Sequence, residues 1–208
     1  MIDVIPFHGL LYNLDIIGPL GQVTAPPYDV ISPAQQETLY QKNPYNVVRL
    51  ILGKEYENDS ENDNRYTRSA KFFNDWTNKG ILKKDTRLGY YLYSQEYEFE
   101  NEKLCRIGFF ARVGLQNFSE GNICPHEFTL SKAKTDRTRL LSSCNANFSP
   151  IFGLYSDPKG EIDSFLNEVI KKKPLSEVDN GRVLHKLWRM DNAEKNQKIS
   201  ELIHDKKI

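Results

Sequence analysis

The most constraining feature of this chain is a strict alternation near its middle. Cys105, Ile107, Phe109, Ala111, Val113 and Leu115 occupy every second position, with Arg106 and Arg112 between them. Successive side chains of a strand point to opposite faces, so this period sets one face on a core and the other toward water. Just upstream, Tyr91, Tyr93, Tyr97 and Phe99 recur at even spacing, and Glu100–Lys103 supplies a turn. Together the two runs predict a β-hairpin over Tyr90–Leu115. Cys105, Ile107, Phe109, Ala111 and Val113 are expected to be buried together.

The segments around the hairpin alternate between helical and extended signals. Residues 1–31 are punctuated by Gly9, Gly18, Pro19, Gly21, Pro26 and Pro27, which favour short strands and ordered loops. Ser32-Pro33-Ala34-Gln35 has the form of a capping box with proline at the first helical position. That helix is expected to stop near Asn43-Pro44, because a residue before proline avoids the α region. Val47–Leu52, apolar and rich in valine and isoleucine, predicts a strand. Polar residues 54–64 predict a loop, and a helix follows over Arg65–Lys79, with Tyr66, Ala70, Phe73 and Thr77 on one stripe, Phe72 and Trp76 beside it, and Gly80 as its stop. A further helix is expected to run to about Leu141. Ser149–Tyr155 predicts a strand, Ile162–Ile170 an amphipathic helix, and Arg182–Met190 another strand. A final helix is expected from an aspartate cap at Asp191 to about His204.

These elements predict an α+β fold: a mainly antiparallel mixed sheet with a long β-hairpin and packed helices, with a possible subdivision near residues 80–86. The formal net charge is zero over 208 residues, which disfavours a generic nucleic-acid binder. Cys105, Cys124 and Cys144 form no CxxC pair, so they are expected to be free thiols in a reducing, cytoplasmic setting. No basic region leads an apolar run at the N-terminus, and no stretch reaches the roughly 20 apolar residues of a membrane helix.

Three segments concentrate chemistry-bearing groups. In Thr24–Pro33, two consecutive prolines stiffen the chain before Tyr28 and Asp29, which precede a helix N-terminus; they suit a substrate contact or, equally, a rigid turn. In Cys124–Arg139, His126 and Glu127 suit proton transfer or metal contact, and Lys132, Lys134, Arg137 and Arg139 suit phosphate oxygens. The same residues also describe a solvated loop followed by the exposed face of a helix. In Asn145–Pro150, Asn147 and Ser149 offer hydrogen bonds to a polar ligand, while the asparagines also suit a helix cap. A GxxxxGK(S/T) loop, a GxGxxG fingerprint, an HExxH pair and a GxSxG elbow are all missing, and Cys144 lacks the context of an activated nucleophile.

Several strings in order along the chain carry a resemblance. They are Pro6–Leu10, Ala25-Pro26-Pro27-Tyr28-Asp29-Val30-Ile31-Ser32-Pro33, Asn43–Leu50, Arg65-Tyr66, Pro125-His126-Glu127, Asp136-Arg137, Asn147–Phe152 and Leu187-Trp188-Arg189. On these segments the chain resembles the family catalogued as domain of unknown function 1015. The resemblance implies that residues 1–208 are the N-terminal α+β region of a longer architecture, an incomplete ParB/sulfiredoxin-like unit. Full-length members carry an Asp-Gly-His-His-Arg-Tyr motif, similar to one in nucleotide-dependent kinases of free serine, which this sequence lacks. The final Asp205-Lys206-Lys207-Ile208 reads as the opening of a strand, consistent with a front portion.

The function this implies is part of a kinase acting on a small hydroxylated metabolite such as serine, with ATP or ADP and Mg2+ as cofactors. Glu127 and His126 would be catalytic. Tyr28, Asp29, Asn147 and Ser149 would bind substrate, Lys132, Arg137 and Arg139 phosphate, and no side chains are assigned as a dedicated metal site. The expected partners are the metabolite, the nucleotide and a following domain, with neither membrane nor nucleic acid, and the chain alone is expected to be inactive. The alternative is a non-enzymatic ParB-like module that regulates or binds a nucleotide or nucleic acid.

Overall fold

The computed structural model describes residues 2–126 and 130–208. In chain order its elements are β1 Val4–Ile5, β2 Leu10–Tyr12, α1 Leu14–Ile17, α2 Pro33–Lys42, α3 Val48–Ile51, α4 Arg65–Asn78, β3 Leu82–Lys84, β4 Tyr90–Phe99, β5 Glu102–Phe110, β6 Arg112–Val113, α5 Ser131–Cys144, α6 Glu161–Ile170, β7 Ser176–Asp179, β8 Val183–Met190 and α7 Ala193–His204. Short 3-10 turns lie at Leu20–Gln22, Tyr28–Val30 and Phe118–Glu120. The fold is α+β with antiparallel sheets. No helix among the described residues is long and apolar enough to cross a membrane.

The chain divides into two compact units. The first comprises residues 1–10, 84–126 and 152–208; the second comprises residues 11–83 and 127–151.

The first unit is built on the hairpin. β4 and β5 pair from Tyr91↔Phe110 to Phe99↔Glu102. The turn between them is two residues, Glu100 and Asn101, both at positive φ (51° and 66°), the backbone that matches the twist of the flanking strands. β8 pairs antiparallel with the other edge of β4, and β7 with β8, giving the order β5-β4-β8-β7. On one face Tyr90, Leu92, Trp188 and Met190 are buried against Ile162, Leu166 and Val169 of α6 and Ile199 and Ile203 of α7. Those helix positions recur every three or four residues, so each helix turns one stripe to the sheet. α6 is capped from outside: Asp157 Oδ2 accepts from the amides of Ile162 (2.8 Å) and Asp163 (3.1 Å). β1 pairs with β6, and the Ile2 amide donates to the His204 carbonyl, which ties the first strand to the end of α7.

The second unit is mainly helical around Trp76, which is buried with Ile17, Val23, Leu50, Ile51, Ile81 and Leu82. The capping box of α2 is formed as its residues dictate: Ser32 Oγ accepts from the Gln35 amide, and Gln35 Oε1 accepts from the Ser32 amide. α4 carries a second capping box, from Asn64 and Thr67.

Five local expectations are corrected. Val47–Leu52 is the short helix α3 with its flanks, not a strand; Asn46 Oδ1 accepts from the Val48 amide and starts the helical turn. Ser149–Tyr155 contains no strand, and Ile151, Phe152 and Leu154 are exposed. The cap of α7 is Asn192, whose side chain accepts from the Lys195 amide, while Asp191 is drawn to Arg87 and Arg189. The buried face of α4 centres on Ser69 and Trp76, leaving Thr77 exposed. In the hairpin, Ile107, Phe109 and Ala111 pack on the core, but Cys105, Val113 and Leu115 are exposed. β5 is an edge strand, and the face that carries Leu92 and Phe109 turns polar farther along, where Cys105 stands opposite Glu96 and Glu96 pairs with Lys186 (2.6 Å). The alternation therefore extends beyond the helices that cover it.

Candidate functional site

Polar side chains of the second unit converge on the end of α3. A four-residue helix cannot satisfy its own carbonyls, so other elements must. Ser69 Oγ on α4 donates to the Arg49 carbonyl (2.9 Å), Arg137 Nη2 on α5 to the Ile51 carbonyl (3.0 Å), and Gln36 Nε2 on α2 to the Leu52 carbonyl (2.8 Å). At the opposite end, buried Asn46 donates from Nδ2 to the carbonyls of Gln22 and Thr24, holding the chain that leads into Pro26-Pro27. The proline segment and α3 are thereby fixed to one another before any ligand is considered.

Arg137 is the centre of this corner. Its guanidinium carbon lies 3.7 Å from the centroid of the Tyr28 ring, a close cation–π stack. Asp136 accepts from Arg137 Nε (2.7 Å), from the Tyr66 hydroxyl (2.8 Å), and from the Nη2 groups of Arg137 and Arg65. Arg139 lies over the Tyr66 ring at 5.1 Å. The Asp136 side chain is only 13 % exposed. Burial works to raise its pKa, but hydrogen bonds from Arg137 and Tyr66 and the charges of Arg137 and Arg65 outweigh it, so the carboxyl is held below its ordinary range. Arg137 Nη1 is buried with no hydrogen-bond partner among the described residues, beside a cavity of about 10 Å³ lined also by Ile51, Gly53, Ser69 and Leu140, room for roughly one water.

The model of the family described as "Protein of unknown function (DUF1015)" matches residues 4–208. The chain belongs to the DUF1015 family. No curated protein and no solved structure matches it.

Within this DUF1015 chain the expected site residues fare differently. Tyr28 and Arg137 are brought together. Asp29, next to Tyr28, is exposed and makes no hydrogen bond or ion pair among the described residues. Lys132 and Lys134 are exposed on α5 without an ion pair among the described residues, and Leu130 at its N-cap has no side chain that can accept from the first-turn amides. Asn145 forms the left-handed C-cap of α5 (φ 48°), and Asn147 Oδ1 accepts from the Ser149 amide in a local turn. His126 is exposed in the first unit, and Glu127 lies outside the described residues. Sequence reasoning gave no role to Arg65, Tyr66 and Asp136, although the Arg65-Tyr66 and Asp136-Arg137 pairs are among the segments that carry the resemblance; that pairing of motifs was the available signal.

The thiols of Cys105 and Cys144 are poor nucleophiles. Burial pushes the Cys144 thiol up to about 11; Cys105, exposed at its surface, is raised by partial desolvation of the sulfur and then by the charge of Glu96. Among the described residues no three His, Cys, Asp or Glu side chains are grouped as metal ligands.

Proposed function

We propose that this chain is part of a nucleotide-dependent phosphotransferase for a small hydroxylated metabolite such as serine, with the Arg137 corner at its phosphate end. The observation that carries the reading is Arg137 itself, stacked on Tyr28 and held by Asp136, which fixes a guanidinium against the proline segment that carries Asp29. Phosphoryl transfer depends on positioning and charge neutralisation, and donors oriented in advance contribute most.

In this reading Arg137 supplies the field, while Lys132 and Arg139, exposed on the same helix, meet phosphate oxygens directly. The uncapped amides at the start of α5 favour an anion beside Lys132. Tyr28 and Asp29 orient the acceptor, with Asn147 and Ser149 as further polar contacts. The acceptor hydroxyl loses its proton to a carboxylate, assigned to Glu127, as its oxygen bonds to the terminal phosphorus; the nucleotide leaves one phosphate shorter. His126, beside Glu127 in sequence, stays a candidate in that proton transfer. ATP or ADP suits the excess of cations here. Magnesium carried by the nucleotide would meet Asp29, because Asp136 is already occupied by donors from three residues.

The test is a paired assay with ATP or ADP, Mg2+ and serine, on this chain and on a form extended by a domain bearing the Asp-Gly-His-His-Arg-Tyr motif. Phosphoserine, detected by mass, is expected only in the extended form. There, Arg139→Gln and Asp29→Asn should each lower turnover by about a hundredfold. Full turnover in either variant would remove the α5 corner from the reaction.

A further inference from the structure

A second cationic site lies in the first unit, apart from the residues assigned above. A cleft of about 380 Å³ opens where the chain leaves α6 and β8 ends. Its rim carries Arg87, Lys172, Lys173 and Arg189, against a single lining carboxylate, Asp191. Its wall is apolar, from Val169, Pro174, Leu175 and Trp188. A volume of a few hundred Å³ with an apolar wall and a few convergent charges is the usual make-up of a small-molecule site.

The rim is built rather than loose. Arg189 Nη1 donates to both oxygens of Asp85 (3.0 and 2.9 Å), whose side chain is 2 % exposed, and Arg189 Nε lies 3.2 Å from Asp191. Asp85 also accepts from the Tyr91 hydroxyl (2.8 Å), and that hydroxyl accepts from the Gly9 amide (3.0 Å). The guanidinium is thus anchored through two generations of hydrogen bonds, yet its Nη2 makes none to any described residue. Trp188 Nε1 donates to the Lys172 carbonyl (2.7 Å), fixing the lysine segment to the sheet.

The charge of the lysines is not explained by the fold. Lys171 pairs with Glu168, as a residue after a helix C-terminus can. Lys172 and Lys173 form no ion pair among the described residues, and Arg87, 66 % exposed, shares Asp191 with Arg189. With Arg189 paired to Asp85 and Arg87 to Asp191, the two lysines add positive charge that an anion would offset. Arginine's fork suits a phosphate oxygen pair, and lysines add point charge.

We infer that this cleft binds a small organic phosphate monoester, its dianion at Arg189, Lys172 and Lys173 and its apolar body against Leu175 and Pro174. The site does not depend on the phosphotransferase reading.

The probe is phenyl phosphate, titrated by calorimetry at constant ionic strength, with phenol as the uncharged control. Saturable binding is expected for phenyl phosphate and none for phenol. The Lys172→Gln/Lys173→Gln variant, which breaks no ion pair, should bind about tenfold more weakly while keeping the wild-type circular dichroism. Lys83→Gln/Lys84→Gln, at two exposed lysines outside both sites, should leave the affinity unchanged. Absence of saturable binding into the millimolar range, unaltered affinity in the Lys172/Lys173 variant, or loss in the Lys83/Lys84 variant would each overturn the assignment.

Discussion

The guanidinium carbon of Arg137 lies over the ring of Tyr28, 3.7 Å from its centroid, and the residue that aims it is its own neighbour, Asp136. Asp136 sits at the meeting of α4 and α5 and holds Arg65, Tyr66 and Arg137 at once. Removing it strands two half-buried guanidinium groups, whereas removing the Tyr28 ring only uncovers one. Asp136→Asn should therefore destabilise the protein by about 2–3 kcal/mol and Tyr28→Leu by about 0.5–1 kcal/mol, read as urea midpoints. Equal losses would show that Asp136 does not organise the corner.

Ser69 bridges two elements with one hydroxyl, which lies 2.9 Å from both the Arg49 and the Arg65 carbonyls. Being 1 % exposed, it leaves the Arg49 carbonyl without a partner when truncated. Ser69→Ala should cost about 1–2 kcal/mol, and amide exchange should quicken at α3 before it quickens in β4 and β8. Uniform quickening would mean that α3 has no separate weakness.

Gly89 marks a close approach in the first unit. A β-carbon there would stand 2.6 Å from the Met190 carbonyl oxygen, a backbone atom of the central strand β8. Neither side can yield without disturbing the β4–β8 ladder, so Gly89→Ala should cost about 2 kcal/mol or more. A wild-type thermal midpoint for this variant would show that the ladder end shifts freely.

The pH response should come from His185. Asn180 Oδ1 accepts from the Arg182 and Val183 amides (3.0 and 2.9 Å), so its Nδ2 faces His185 Nε2 at 3.1 Å. That amide donates, so Nε2 accepts and the ring proton sits on Nδ1, toward the Tyr93 oxygen at 2.6 Å. Burial lowers the His185 pKa below 6.5, against the charge of Asp179. Below 6.5 the unfolded chain binds the proton first. Stability is thus full above that value and declines as pH falls toward the folded pKa. Asp85 and Asp136 act in a lower window: burial works to raise both, but hydrogen bonds from Arg189 and Arg137 lead the groups that lower them. Their contribution is present above 3.8 and is lost as pH falls through their depressed values. Urea midpoints should fall from pH about 7.5 to about 5 in the wild type, and His185→Gln should flatten that range. An unchanged slope would assign the response to another group.

What the sequence by itself determined is what depends on neighbours along the chain. The capping box at Ser32, the stop before Pro44, the hairpin of β4 and β5 and the stripe of α6 all rest on contacts within a few residues or on a period of two or 3.6. Only the tertiary structure decided Val47–Leu52, because an apolar run rich in β-branched residues becomes a helix when Ser69, Arg137 and Gln36 arrive from distant segments to take its carbonyls. It likewise moved the α7 cap from Asp191 to Asn192, since Arg87 and Arg189 claim the aspartate. The candidate site divided in the same way. Tyr28 and Arg137 were legible as residue types that suit a ligand, but Arg65, Tyr66 and Asp136 were not, because a carboxylate's role is set by the cations that fold around it, and those come from elsewhere in the chain.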